Sequence, residues 1–274
     1  MPIKLVAIDV DNTLLNSKHQ MSPTTVSTLK QVIQKGIRVV IASGRAIKGT
    51  EWIYQKVNLD NKKDQYMINF NGGMIQTTSE KILFQDTLSP TEAQKLYQLA
   101  CKLGFYLQLD ARYYVYTPYL KIPAATLQSA AIMSTPIKYI NPHDLKQNKN
   151  FLKAVFRSNS NQTNFYQKLP KTFFKKYSTK LTSEFDLEIN HKKINKGAAL
   201  KKLAKKLSIP IKQTMAIGDG NNDLQMIETA GTGVAMENGI PEIKKEANFI
   251  THTNDKEGVT LALKKFLLKP TIKD

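Results

Sequence analysis

Asp9 and Asp11 stand two residues apart at the end of an apolar run, in the string Ile3-Lys4-Leu5-Val6-Ala7-Ile8-Asp9-Val10-Asp11-Asn12-Thr13-Leu14-Leu15. A run of β-formers bounded by polar residues reads as a buried strand, and aspartate is disfavoured within strands. Asp9 is therefore expected where the strand stops and the carboxyl edge of a sheet opens. Two carboxylates at such an edge can gather a hard cation, and one of them can attack an electrophile. A second apolar run ends in Met215-Ala216-Ile217-Gly218-Asp219-Gly220-Asn221-Asn222-Asp223, a turn dense in glycines, amides and carboxylates. Mg²⁺ prefers few carboxylates, near-octahedral oxygen ligands and retained water, and Asp219 with Asp9 and Asp11 would fit that preference.

Two further segments suit an anion. Ser43-Gly44 closes another apolar run, and a hydroxyl beside a glycine N–H on an open turn can cradle phosphate oxygens. Lys196 opens Lys196-Gly197-Ala198-Ala199-Leu200 at an expected helix N-terminus, where the helix dipole disfavours a cation. A lysine placed against that preference points to an anion for it to neutralise. A metal, a carboxylate nucleophile, a hydroxyl and an ammonium together suit a phosphoryl group.

The elements that must carry these groups follow from periodicity and punctuation. Ser22-Pro23 reads as an N-cap and first helical residue, with Gly36 ending the helix at Lys35. Strands are expected over 37–42 and 66–70, the latter running into the turn Asn71-Gly72-Gly73. Strand, helix, strand, helix, strand is the signature of a parallel sheet covered on both faces. Near residue 84 the pattern changes. Ser89-Pro90-Thr91-Glu92 is a capping box for a helix ending at Gly104, followed by short strands over 105–109 and 113–117. A helix, a strand over 151–157, a helix over 162–169, and strands over 178–183 and 185–190 complete an α+β module. The parallel pattern resumes with a helix over 196–207, a strand over 214–217, a helix over 224–230, a strand over 233–236 and a helix over 256–268. The expected fold is α/β: one body formed by 1–84 and 190–274, with 85–189 inserted. Since ligands of open α/β sheets bind outside the strands' carboxyl ends, Asp9, Asp11, Ser43, Lys196, Asp219 and Asn222 are expected at one edge.

Composition narrows the alternatives. The chain has 274 residues, 41% hydrophobic, with a formal net charge of +18, which raises a nucleic-acid partner. Only Arg38, Arg45, Arg112 and Arg157 are arginines, however, and the lysines are spread along the chain without a basic arm. No nucleic-acid partner is expected, although a general attraction for anionic substrates follows from the charge. No stretch approaches the roughly 20 apolar residues that span a bilayer, and the N-terminal apolar run is too short for a secretory signal. Cys101 is the only cysteine, expected as a reduced, half-buried residue of a helix, and the four histidines lack metal-ligand spacing. These features fit a soluble cytoplasmic protein that uses no membrane.

The ordered segments Asp9-Val10-Asp11-Asn12-Thr13-Leu14-Leu15, Ala42-Ser43-Gly44-Arg45, Asn195-Lys196-Gly197 and Gly218-Asp219-Gly220-Asn221-Asn222-Asp223 resemble the four motifs of the haloacid dehalogenase superfamily of phosphatases. The similarity is to its Cof-like branch with a type IIB cap, and Asn69-Phe70-Asn71-Gly72, Gly233-Val234-Ala235-Met236 and Thr253-Asn254-Asp255-Lys256-Glu257-Gly258-Val259 resemble branch-typical segments. Asn12 departs from a common glycine, and Glu237 from a small residue. Asn tolerates unusual turn dihedrals, so the first departure should do little damage.

The resemblance implies a Rossmann-like core, an inserted cap and release of phosphate from small phosphomonoesters through an aspartyl-phosphate. It implies Asp9 as nucleophile and Asp11 as acid and base. Mg²⁺ would be held by Asp9, the Asp11 carbonyl and Asp219, with Asp223 in support. The phosphate would be held by the Val10 and Gly44 amides, the Ser43 hydroxyl, Lys196 and Asn222, while Arg45 packs or pairs locally. Cap residues Arg112, Tyr113, Tyr114 and Tyr116 would select the substrate. Two rivals remain: a phosphotransferase or sugar-phosphate mutase on the same body, and a basic nucleic-acid-binding protein with a degenerate metal site. The physiological substrate and the oligomeric state are not legible.

Overall fold

A computed structural model describes residues 2–147, 150–158 and 165–268. The chain divides into two compact units: Met1–Gly44, Glu51–Leu83 and Asn195–Asp274 form the larger, Arg45–Thr50 and Phe84–Ile194 the smaller.

In chain order the first half comprises β1 (Leu5–Ile8), α1 (Pro23–Gln34), β2 (Arg38–Ala42), α2 (Lys48–Lys56), β3 (Tyr66–Asn69), β4 (Met74–Thr77), β5 (Ile82–Gln85), α3 (Pro90–Leu103), β6 (Tyr106–Asp110), β7 (Val115–Thr117), α4 (Ala124–Ile132) and β8 (Ile137–Tyr139). Then follow β9 (Lys153–Arg157), α5 (Phe165–Lys168), α6 (Lys171–Lys176), β10 (Tyr177–Ser183), β11 (Asp186–His191), α7 (Lys196–Lys206), β12 (Thr214–Gly218), α8 (Leu224–Thr229), β13 (Thr232–Ala235), α9 (Pro241–Glu246), β14 (Phe249–Ile250) and α10 (Gly258–Leu263).

The larger sheet has the order β14-β13-β12-β1-β2-β3-β4-β5. From β14 to β3 every pairing is parallel, and β4 then runs antiparallel to β3. Strand β1 is central and wholly buried, which explains why it reads as a continuous apolar run rather than an alternating one. Its register pairs Ile8 with both Ile217 and Ile41, so the first residues beyond it come level with the ends of β12 and β2. The strands expected from the sequence thus form five of the six parallel strands of an α/β fold. Strands β4, β5 and β14 are additions to that expectation; in β4, Gln76 and Thr77 are polar yet buried and break the pattern.

Local signals behave as their chemistry requires. Ser22 caps α1 by accepting from the Thr25 amide, and Pro23 sits at the first helical position. The buried Tyr54 hydroxyl accepts from the Ile41 amide and donates to the Tyr66 carbonyl, pinning β2 to β3.

The smaller unit is built on the order β10-β11-β9-β6-β7-β8, antiparallel except between β7 and β8. Alternation places Leu107, Leu109, Ala154, Phe156, Leu187 and Ile189 in an apolar core with α3 residues. The intervening residues Gln108, Asp110, Lys153, Arg157 and Glu188 lie on the other face. Ser89 and Glu92 form the expected capping box of α3, and Gly104 ends it at φ 71°. Cys101 is exposed on α3 rather than half-buried, since the apolar stripe of that helix runs through Ala93, Leu96 and Ala100. The helix expected over 162–169 is seen from Phe165, its first three residues lying outside those described.

Candidate active site

Asp9 is the first residue past β1, and its amide still donates to the Ile217 carbonyl, so the backbone enters the site in register with the sheet. The chain then makes a wide turn in which the Leu14 and Leu15 amides donate to the Asp9 and Val10 carbonyls. Asp11 and Asn12 leave helical geometry within it, and Asn12 adopts φ 60°, the left-handed region that asparagine accepts more readily than most residues. The turn is tied from the far end of the chain. Asn238 Nδ2 donates to the Asn12 carbonyl at 2.8 Å, Asn254 Nδ2 to the Leu15 carbonyl at 2.9 Å, and the Ser17 amide to Asp255 Oδ1 at 2.8 Å. Asn254 and Asp255 belong to one of the segments singled out by resemblance, and these bonds give them a physical role.

Beyond β12 the loop of residues 218–223 is organised by Asp223. Its Oδ2 accepts from the Asp219 and Gly220 amides at 3.2 and 3.0 Å. Thr13 Oγ1 donates to Asp219 Oδ1 at 2.7 Å, joining this loop to the turn after β1. Helix α7 supplies Lys196 directly after its N-cap Asn195, whose Oδ1 accepts from the Ala198 amide at 2.7 Å. The helix can reach so far in because Gly197 packs against α8: a Cβ there would lie 2.3 Å from the Gln225 carbonyl oxygen.

Lys196 is fully buried, and its Nζ donates to Asp9 Oδ1 and, at 2.6 Å, to Asp223 Oδ1. Burial alone would lower its pKa, but the carboxylates of Asp223 and Asp9 hold it above the ordinary lysine value, so the ammonium stays charged. For Asp9, burial and then the Asp223 carboxylate push the pKa up to about 8, against the opposing pull of Lys196. One oxygen from each of Asp9, Asp219 and Asp223 lies within 4.8 Å of the others, a donor set that fits a hard divalent cation. The Asp11 side chain is not part of this trio. Ser43 is buried and Gly44 half-buried just past the end of β2, whose Ile41 is level with Ile8. Asn222 Nδ2 donates to Asn71 Oδ1 at 3.1 Å.

The larger unit thus gathers Asp9, Lys196, Asp219 and Asp223 through direct contacts, with Ser43, Gly44 and Asn222 on adjoining turns. Thr13 and Asn71 contribute contacts that sequence reasoning does not assign. Thr13 stands within the first motif, and Asn71 within a turn signal, so both are visible as residues but not as partners.

In the smaller unit, Tyr116 is a core residue, edge-on to Phe151 at 5.7 Å, and Lys138 lies 3.5 Å over the Tyr114 ring. Arg112 stacks over its neighbour Tyr113 at 4.8 Å. Arg45 Nη1 donates to the Gly49 carbonyl at 3.4 Å, a local contact.

Comparison with known proteins agrees with this geometry. The profile of a family described as haloacid dehalogenase-like hydrolases matches residues 6–263. A provisionally named phosphatase of Streptococcus pyogenes is 35% identical over 271 residues, covering 98% of this chain and 100% of the relative. A Bacillus subtilis phosphatase is 32% identical over 291 residues, covering 97% and 100%. Among solved structures, a haloacid dehalogenase-like hydrolase from Bacteroides thetaiotaomicron superposes with a TM-score of 0.85 at 27% identity, covering 96% of this chain and 99% of the other. No helix among the described residues is long and apolar enough to cross a membrane.

Proposed function

The chain belongs to the haloacid dehalogenase-like hydrolases, and from that premise we propose that it is a Mg²⁺-dependent phosphatase of small phosphomonoesters acting through an aspartyl-phosphate. The observation that carries this reading is the convergence of Asp9, Asp219 and Asp223 on one point, with the buried Lys196 ammonium bonded to two of them.

Asp9 attacks phosphorus in line while the bond to the leaving oxygen breaks, and Asp11 passes its proton to the departing alkoxide. Asp11 then takes a proton from water, which attacks the same phosphorus and breaks its bond to Asp9, releasing inorganic phosphate. The Val10 and Gly44 amides, the Ser43 hydroxyl, Lys196 and the Asn222 amide hold the phosphoryl oxygens, donors suited to the charge they carry in transfer. The cation would be held by Asp9, the Asp11 carbonyl and Asp219, with Asp223 in support. When bound, it neutralises the clustered carboxylates and draws charge from the phosphoryl oxygens. Lys196 keeps its proton throughout, so it acts as a fixed positive charge rather than as an acid.

Choice of leaving group is assigned to the inserted α+β cap, expected at 85–189, with Arg112, Tyr113, Tyr114 and Tyr116 as candidates. Exchange of that segment for a relative's should carry substrate preference with it.

The test is phosphate release by purified protein from a panel of hexose phosphates, pyridoxal phosphate and ribityl phosphates, with and without Mg²⁺. Mg²⁺-dependent release of free phosphate is expected. Phosphate returned to a second hydroxyl would make the protein a phosphotransferase, and activity indifferent to chelation would remove the metal from the reading.

A further inference from the structure

Residues 70–72 turn the chain just past β3, and three consecutive residues take positive φ: Phe70 at 54°, Asn71 at 57° and Gly72 at 99°. Such a conformation costs on the order of 1 kcal/mol or more at each non-glycine, and a bulky aromatic there is an outlier. The complete burial of Phe70 offsets part of this cost. What the turn presents is Asn71, itself only 7% exposed.

Asn71 touches both pieces proposed to hold the phosphate. Its amide donates to the Ser43 carbonyl at 3.0 Å, and its side chain packs close to Gly44: a Cβ there would stand 2.8 Å from Asn71 Oδ1 and 3.3 Å from Nδ2. The same Oδ1 accepts from Asn222 Nδ2, a residue 151 positions away in the chain. An amide nitrogen carries two hydrogens in a fixed plane. With one of them given to Asn71, the rotation of the Asn222 amide and the directions open to its other hydrogen are restricted.

We infer that Asn71 is a positioning residue for phosphate recognition, aligning the Asn222 amide with the Ser43-Gly44 turn before substrate arrives. The inference rests on the phosphatase reading and adds to it a residue that touches no reacting atom. Asparagine is also among the side chains that best tolerate this backbone, so the alternative is a residue kept for the turn alone.

Glycine separates the two explanations, because Asn71→Gly keeps the turn without strain and deletes only the side chain. Binding of inorganic phosphate with Mg²⁺ is measured by calorimetry on the full chain, alongside kcat and KM for a phosphomonoester. Asn71→Gly is expected to weaken phosphate binding and raise KM by about tenfold, the worth of one hydrogen bond at a charged ligand, with kcat within about threefold. Asn222→Ala should give a similar loss, and the double variant no more than the larger single effect, since the two act as a unit. Wild-type phosphate affinity in Asn71→Gly, or strictly additive losses, overturns the inference. Wild-type protein that neither binds phosphate nor releases it from esters overturns the phosphatase reading as well, so the two failures are distinct.

Discussion

Two buried ionic clusters, one in each sheet, use the same side-chain types to opposite effect. In the smaller sheet, Lys153 lies 2.6 Å from Glu188 and 3.4 Å from Asp110, while Arg157 pairs with Asp186 and donates to the Gln108 side-chain oxygen at 2.9 Å. Cations and acceptors interleave across neighbouring strands, along a cavity of about 490 Å³ lined by Gln108, Lys153, Arg157, Asp186 and Glu188. Burial would lower the Lys153 pKa, but Glu188 and Asp110 hold it above the ordinary value. In the larger sheet one ammonium bonds two of three carboxylates whose oxygens converge, and Asp9 is driven toward its protonated form. Two cations set among three carboxylates offset most of their charge. Converging charges of one sign leave a deficit that an incoming cation can fill.

Breaking the second cluster at its nucleophile should have the largest effect: Asp9→Asn lowers phosphate release by about 10³-fold or more, measured at saturating substrate, while the fold persists by circular dichroism. Removing each lysine tests the contrast directly. Lys153→Met and Lys196→Met each strand buried carboxylates and should cost roughly 3–5 kcal/mol in denaturant unfolding. Removing both partners as well, in Lys153→Met/Glu188→Leu/Asp110→Asn, should recover most of the first loss, whereas added Mg²⁺ should recover part of the second only. Equal responses of both variants to Mg²⁺ would erase the distinction.

The pH dependence sharpens it further. The folded state holds the Asp9 proton up to about pH 8, far above the ordinary value of 3.8, so the folded form binds more protons across that window. Stability of metal-free protein should therefore fall as pH rises from about 4 to about 8. Asp9→Asn should flatten that slope, and Mg²⁺ should raise stability most at its alkaline end. The smallest effect is expected at Thr13→Val, which removes the hydroxyl at 2.7 Å from Asp219. Titration of Mg²⁺ should show about tenfold weaker binding, as for other partners that orient a metal ligand.

Much of the larger sheet is legible because its central strands β1 and β12 are wholly buried and end in chemistry. Asp9 follows an uninterrupted apolar run, and the observed register brings the ends of β2 and β12 level with it. Lys196 is legible as an oddity, a cation at a helix N-terminus, but not as a fully buried one. Its burial depends on the close approach of α7 to α8 at Gly197, which no local pattern announces. The Thr13–Asp219 and Asn71–Asn222 bonds are illegible for the same reason, being made across 206 and 151 residues. Buried Gln76 and Thr77 conceal β4, since polarity in a short segment reads as surface. In the smaller sheet the aromatic hairpin draws attention to Tyr113, Tyr114 and Tyr116. The buried charges of Lys153 and Arg157 pass unnoticed there, because single charged residues in short strands carry no signal of burial.

The central position of β1 has a consequence for synthesis. Leu5 leaves the ribosome well before one of its two neighbours across the sheet, Thr214, which lies more than two hundred residues further along the chain. Contacts of such sequence separation close slowly, so nascent β1 waits with one hydrogen-bonding edge open. Until Asp219 and Asp223 are made, the acidic pocket cannot exist, and a ribosome-bound chain halted before Asp219 should be catalytically silent.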